Sequence, residues 1–387
     1  MYKTILSILF VFMILSATIP VSAQEIKVDV KSIDPSPYYD SNPRINNNYI
    51  VWRRAVNQNN NEYIELKEPS WIMVYDIEKG KTWNITDMNT ILGGSNIFSH
   101  AQSPEIYGDK IIYEKQGSAN SWDTRLCMYN ISSKKTWEIP LRSTTKAHGH
   151  FHQIYNDWIA YTHIENGKRQ AYLLNYENWN YRTIISKNDN YSVYGMVMHG
   201  NYVVITALNE TNDFEILIYN IQSGLRESIN LIRNYSKIIA TSISGDRIAL
   251  NLLETNGNNT QWNTYIYNIN SQSLFKHIDN TYGLMIYGDN TAYQMGNNIY
   301  YSGTNITVIQ SIGSQRLGDI HGNEIVWTDN SNGESQYGDA RDDWDIFFRE
   351  QVTPTEMIST NMIFIIIIVI LVIIGGIASR NGSGEMI

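Results

Sequence analysis

The 387-residue chain carries 38 acidic against 29 basic residues, a formal charge of −9, and one cysteine. That balance argues against nucleic acid or anionic lipid as a partner. A lone Cys127 excludes an intrachain disulfide, so the fold must hold by its core.

Residues 1–23 have the three parts of an export signal. Lys3 gives a positive start, Ile5 to Ile19 is almost continuously apolar, and Val21-Ser22-Ala23 places small residues before Gln24. An uncleaved N-terminal anchor is the alternative; Pro20 and the Val-x-Ala ending favour cleavage. Ile26-Lys-Val-Asp-Val30 then alternates apolar and polar at the period of a strand.

Seven segments of the following sequence align without a gap. They are Ile45–Trp52, Ile106–Tyr113, Ile154–Tyr161, Met198–Ile205, Ile243–Leu250, Ile286–Tyr293 and Ile320–Trp327. Their third position is Gly or Asn and their fourth Asp or Asn: Gly108-Asp109, Gly200-Asn201, Gly245-Asp246, Gly288-Asp289 and Gly322-Asn323, with Asn47-Asn48 and Asn156-Asp157 in the other two. These residues tolerate the positive φ expected at both central positions of a two-residue primed turn. The short β-branched and aromatic run after each turn reads as a strand buried on both faces. Each segment is therefore predicted to be a hairpin.

Successive anchors lie 61, 48, 44, 45, 43 and 34 residues apart. Periods in the forties are those of four-stranded propeller blades. Third strands follow, such as Met73-Val-Tyr-Asp-Ile77 and Leu217-Ile-Tyr-Asn-Ile221, and then fourth strands such as Thr82–Thr86 and Thr136–Ile139. The seventh blade has three strands, the third being Trp344–Phe348. Ile26–Val30 is predicted to supply the fourth and to close the ring. The expected fold is thus all-β: a seven-bladed β-propeller over residues 24–351, closed by an N-terminal strand.

The pattern resembles the TolB-like, WD-repeat-related propeller repeats of exported bacterial and archaeal proteins. The resemblance rests on the Ile-x-Gly-Asp-x-Ile hairpins, the Val-Tyr-Asp-Ile third strands, and Trp327-Thr-Asp-Asn-Ser-Asn-Gly333 followed by Trp344-Asp-Ile346. It covers Ile26 to Gln351 and implies an architecture but no activity, because such repeats serve binding proteins, scaffolds and enzymes alike.

Two clusters are candidate chemistry. Ala147–His152 holds His148, His150 and His152, and His100 has the same repeat position in blade two as His148 in blade three. His148 and His150 would stand about 7 Å apart on one strand face, within reach of one divalent metal, with His152 a step too far. The cluster is similar to the imidazole-rich metal site of oligogalacturonate lyases, also TolB-like seven-bladed propellers. That resemblance implies a metal at His100, His148 and His150. The reading adopted is hydrogen-bonded histidines at a channel mouth, with no cofactor. Asp329, Glu334, Asp339, Asp342, Asp343 and Asp345 could hold a hard cation such as Ca²⁺, but their spacing matches no defined loop. A solvated acidic loop is expected.

After a linker at 352–360 comes a run at 361–378, charge-free from Met362 to Ala378, reaching about 25 Å as a helix. It is predicted to cross a membrane, with 379–387 as a short inner tail. Seven sequons, at Asn84, Asn130, Asn190, Asn209, Asn234, Asn258 and Asn305, permit glycosylation of an outer domain. The expected function is that of a single-pass, membrane-anchored cell-surface module that binds or scaffolds a protein or glycan. A metal-dependent enzyme on polysaccharide is the alternative.

Overall fold

A computed structural model describes residues 32–36, 38–55, 70–86, 100–116, 124–141, 151–165, 167–229, 231, 235–256, 259–302, 306–309, 314–330 and 344–350. The predicted signal, Ile26–Val30 and the predicted membrane span lie outside them. Among the described residues no helix is long and apolar enough to cross a membrane.

The described residues form seven antiparallel blades, of which the first two are joined by a single parallel bridge between Ser70 and His100. Blade one holds β1 (Tyr39–Asn46), β2 (Tyr49–Ala55), β3 (Ser70–Asp76) and β4 (Lys81–Asn84). Blade two holds β5 (His100–Tyr107), β6 (Lys110–Gln116), β7 (Thr124–Asn130) and β8 (Lys135–Glu138). Blade three holds β9 (His152–Tyr155), β10 (Trp158–Glu165), β11 (Lys168–Asn175) and β12 (Asn180–Ile185). Blade four holds β13 (Ser192–His199), β14 (Tyr202–Leu208), β15 (Phe214–Asn220) and β16 (Arg226–Ser228). Blade five holds β17 (Tyr235–Ser244), β18 (Arg247–Asn256), β19 (Asn259–Asn268) and β20 (Ser273–Asp279). Blade six holds β21 (Tyr282–Tyr287), β22 (Asn290–Met295), β23 (Asn298–Ser302) and β24 (Ile306–Ile309). Blade seven holds β25 (Gln315–His321), β26 (Glu324–Asp329) and β27 (Asp345–Glu350).

Every aligned segment is a two-residue hairpin, with partners such as Ser244↔Arg247 and Tyr107↔Lys110 flanking the turn. One detail corrects the sequence reading. Only the first central residue takes positive φ, from +49° at Asn47 and Asn156 to +61° at Gly245. This is the II′ arrangement, so Asp or Asn at the second central position has another cause. Its carbonyl accepts the N–H that follows the third strand: Asn48 from Ile77, Asp109 from Ile131, Asp157 from Tyr176, Asn201 from Ile221 and Asp246 from Ile269. The Asp109 and Asp246 carboxylates also accept from Asn130 at 2.7 Å and Asn268 at 2.9 Å. Those asparagines in turn cap the next turn through their own side-chain oxygens, Asn130 accepting from the Ser133 N–H and Asn268 from the Ser271 N–H. The repeated Gly-Asp and Tyr-Asn-Ile signatures are two halves of one hydrogen-bonded corner.

The core lies between blades. Trp52, Ile111, Ile112, Ile159, Val203, Val204, Ile248 and Trp327 on second strands are fully buried, because these strands have sheet neighbours on both sides and a blade on each face. Seven apolar clusters fill the seven blade interfaces. The last joins Val326 and Ile346 of blade seven to Ile50, Trp52 and Trp71 of blade one. Cys127 is buried in the interface of blades one and two, where burial raises its thiol to about 11.

Blades seven and one meet closely. A Cβ on Gly318 would lie 2.4 Å from Pro43 Cγ and 3.0 Å from the Pro43 and Val326 carbonyl oxygens. The segment before β1 also crosses to blade seven. Ser32 bridges Phe347 in antiparallel sense, Ile33 N–H donates to Ile346 O at 2.9 Å, and Asp40 N–H donates to Trp344 O at 2.9 Å. Arg54 anchors it, donating to both Asp40 oxygens at 2.7 and 2.6 Å and reaching Asp34 at 2.9 Å.

Gly318→Ala should therefore lower stability by roughly 1–3 kcal/mol, because backbone on both sides blocks relaxation. Denaturant unfolding checks this; an unchanged midpoint would show that blades seven and one do not meet at Gly318.

Candidate functional site

The first strands of all seven blades line an axial cavity of about 510 Å³. Its two ends differ. At one, the hairpin turns are short and alike, and this is termed the hairpin face. At the other, termed the loop face, the longest connections gather on neighbouring blades: 56–69 and 85–99 in blade one, 139–151 leaving blade two, and 330–344 in blade seven. On blades three to six the connections at this face are shorter, such as 166–167 within blade three, 209–213 within blade four and 280–281 from blade five to blade six.

At the hairpin face, the residue before each turn forms a circular belt. Each of these side chains reaches the next blade. Asn46 Oδ1 accepts from Gly108 N–H at 2.9 Å, and Tyr107 donates its hydroxyl to Asn156 Oδ1 at 2.6 Å. The Tyr155 ring meets that of His199 at 4.6 Å, and His199 Nδ1 accepts from Gly245 N–H at 3.1 Å. Ser244 Oγ accepts from Gly288 N–H at 2.8 Å, the Tyr287 ring meets that of His321 at 4.4 Å, and His321 Nε2 donates to Asn47 Oδ1 at 3.2 Å. Burial lowers the pKa of His199 and of His321, and His199 adds to the effect at His321. Neutral imidazole is required at His199, since its Nδ1 must accept.

Two residues back along the first strands the wall is charged on one side only. Arg44 of blade one donates from Nε to Glu105 of blade two at 2.9 Å and from Nη1 to the Gly318 carbonyl at 3.2 Å. Asp319 of blade seven accepts from the Ile45 N–H at 3.2 Å and the Ile320 N–H at 2.9 Å. Burial pushes its carboxyl up to about 6 against the pull of Arg44, and Glu105 adds to the rise. The corresponding residues of blades three to six, Gln153, Val197, Ser242 and Met285, are uncharged. Charge within the cavity wall thus occupies the same arc, blades seven, one and two, as the long loops.

The predicted site residues divide as follows. His148 and His150 lie outside the described residues. His100 begins β5, opposite Gln116, at the loop face. His152 does not stand free at the mouth. It is buried, donates from Nε2 to the Ser103 carbonyl at 2.6 Å, and has Nδ1 3.6 Å from Glu114. Burial opposes its protonation, but Glu114, Glu105 and the Ser103 carbonyl raise its pKa overall. Among the described residues no group of three or more His, Cys, Asp or Glu could hold a metal ion. The solvated-loop expectation is corrected for two acids: Asp329 and Asp345 are buried partners across β26 and β27. Asp329 accepts from Gln315 Nε2 at 2.9 Å, and Asp345 accepts from the Ser36 N–H at 3.2 Å. They belong to the ring junction. Glu334, Asp339, Asp342 and Asp343 lie outside the described residues.

Of the sequon asparagines, Asn84 and Asn190 are exposed. Asn130 and Asn209 are half-buried, their amides donating to Asp109 and Glu215 at 2.7 Å each. Asn234, Asn258 and Asn305 lie outside the described residues. The belt was missed in the sequence because its members are chemically mixed. Aligning the seven hairpins exposes it as the one polar or aromatic column, Asn, Tyr, Tyr, His, Ser, Tyr, His, between an apolar anchor and a turn.

No protein-family model and no curated protein matches the chain. Solved structures do. The β-propeller domain of the Trilobed protease from Pyrococcus furiosus, described as having an open velcro topology, is 14% identical over 83% of this chain and 94% of its own, at a TM-score of 0.56. A Pyrococcus horikoshii acylaminoacyl peptidase is 12% identical over 76% of this chain and 49% of its own, at 0.53. A prolyl endopeptidase is 10% identical over 84% of this chain and 51% of its own, at 0.55. The chain spans about half the length of these two peptidases. The fold and these likenesses define the class: this is a seven-bladed β-propeller.

The belt makes stability depend on pH at His199. Its folded pKa is below the ordinary value, so the native state holds fewer protons there than the unfolded chain. The contribution is present above the unfolded pKa of about 6.5 and is lost as pH falls through the lower folded value. His199→Asn keeps an acceptor without the titration. From pH 7 to 5 the wild type should lose more thermal stability than the variant; parallel curves would remove His199 from the belt.

Proposed function

We propose that the chain is a membrane-anchored, cell-surface binding module that receives a protein or glycan partner on the loop face, over blades seven, one and two. The observation that carries the reading is the coincidence, on one arc, of the long connections with the cavity's inward charges Asp319, Arg44 and Glu105. Recognition residues sit disproportionately on loops held by a rigid scaffold. The hairpin belt supplies the rigidity, and its rings engage one another and the backbone.

In this reading residues 1–23 direct export, 361–378 cross the membrane, and the propeller lies outside. Ile26–Val30 would continue the antiparallel pairing begun at Ser32 and Phe347, as the fourth strand of blade seven. No metal is assigned: the third member of the histidine cluster, His152, is committed to Ser103 and Glu114.

The purified full chain in detergent should bind a component of a glycan array or of separated envelope proteins. Replacing 142–150 or 331–343 by Gly-Ser linkers should weaken that binding about tenfold or more, a loss of roughly 1.4 kcal/mol. Undiminished binding by both replacements would overturn the assignment of the face. Cleavage of acidic polysaccharide, lost together with a stoichiometric metal in a His148→Ala, His150→Ala variant, would overturn the non-enzymatic reading.

A further inference from the structure

Among the described residues four large apolar side chains are well exposed, and three lie at the hairpin face of consecutive blades. Trp179, 39% exposed, is in the turn from β11 to β12. Leu225, 63% exposed, is in the turn from β15 to β16, and Phe275, 60% exposed, is near the start of β20. Trp179 has φ +59°, and the equivalent turn positions of blades one, two, four and five, Gly80, Lys134, Gly224 and Gln272, lie at +50° to +71°, so the repeat itself fixes where this side chain stands. The arginines beside this rim are turned to other work. Arg182 donates to the Ile221 carbonyl and lies over the Trp158 ring; Arg226 donates to the Ile184 carbonyl at 2.7 Å and to Asp189 at 2.6 Å.

The chain leaves blade seven on this same face. Glu350, the last residue of β27, pairs with Glu324, which follows the Gly322-Asn323 turn. Ten residues, 351–360, separate it from the apolar run at 361–378. Fully extended they reach about 35 Å, and any bend shortens this.

We infer that the hairpin face lies against the bilayer, with the Trp179–Leu225–Phe275 rim dipping into the interface of the outer leaflet. This rests on the membrane-anchored reading above. Blade seven is then held covalently and blades three to five by partition, two attachments on opposite sides of the ring that leave the loop face outward. Trp and Phe suit the interface, where an apolar body meets headgroups. The formal charge of −9 makes a zwitterionic surface the fitting occupant.

The test uses the full chain in phosphatidylcholine nanodiscs. Cys127 is buried with a raised thiol pKa, so single engineered cysteines take an NBD fluorophore selectively. Trp179→Cys and Phe275→Cys probe the rim, and Glu210→Cys, exposed at the loop face, is the control. Labels at 179 and 275 should emit at shorter wavelength, resist iodide and be quenched by shallow doxyl lipids, while 210 shows the reverse. Equal iodide quenching at all three positions, in a chain that stays with membranes through a carbonate wash, would overturn the rim alone. Release by carbonate would overturn the anchor, and the rim with it.

Discussion

Every sheet in this protein has two apolar faces, and a four-stranded sheet cannot cover both by itself. The second strands set this requirement. Ile50-Val51-Trp52, Ile111-Ile112-Tyr113 and Ile325-Val326-Trp327 bury consecutive residues, so each blade needs a neighbour on either side. A row of such blades leaves two uncovered ends, and a ring leaves none. Full burial of each large aliphatic side chain contributes roughly 1.5–3 kcal/mol, and each of the seven interfaces buries such side chains, most between blades three and four and fewest between blades five and six. The seventh interface decides whether the ring exists. There Trp52, Val326 and Ile346 pack, Gly318 admits Pro43, and Arg54 joins the buried Asp40 to Asp34.

The two ends of the ring follow different constraints. The hairpin face is held by seven side-chain links from blade to blade, made by rings, amides and one serine, and its turns are as short as turns can be. The loop face carries no such belt among the described residues, and the long connections that start from it belong to blades seven, one and two. Under that arc the cavity wall holds an acid, an arginine and an acid from three successive blades. A scaffold fixed at one end and elaborated at the other suits recognition, because changes in the loops leave the blade interfaces untouched.

Much of this was legible in the sequence because a propeller repeats its contacts. The anchor isoleucines, the Gly-Asp turns and the Tyr-Asn-Ile third strands recur because each blade solves the same packing problem. What was not legible lies in contacts between residues far apart in sequence, some within a blade and some between blades. Aspartate in the turn was read as a conformational choice, whereas its carbonyl and carboxylate hold the neighbouring corner, a contact to residues some twenty positions on. Asp329 and Asp345 looked like part of a solvated acidic loop because sequence proximity hides that they face each other across two strands at the ring junction. His152 sat in a cluster suggestive of metal, and only the fold brings Glu114 and the Ser103 carbonyl to it.

The account stands on which end of the ring meets the partner. Hydrogen–deuterium exchange on the full chain, with and without a bound glycan or protein, addresses this directly. The account predicts slowed exchange in 85–99, 139–151 and 330–344 and at the first residues of β5, with the hairpin turns unchanged. Slowed exchange confined to the turns at 108–109, 200–201 and 322–323 would place the partner on the wrong end of the channel and contradict it.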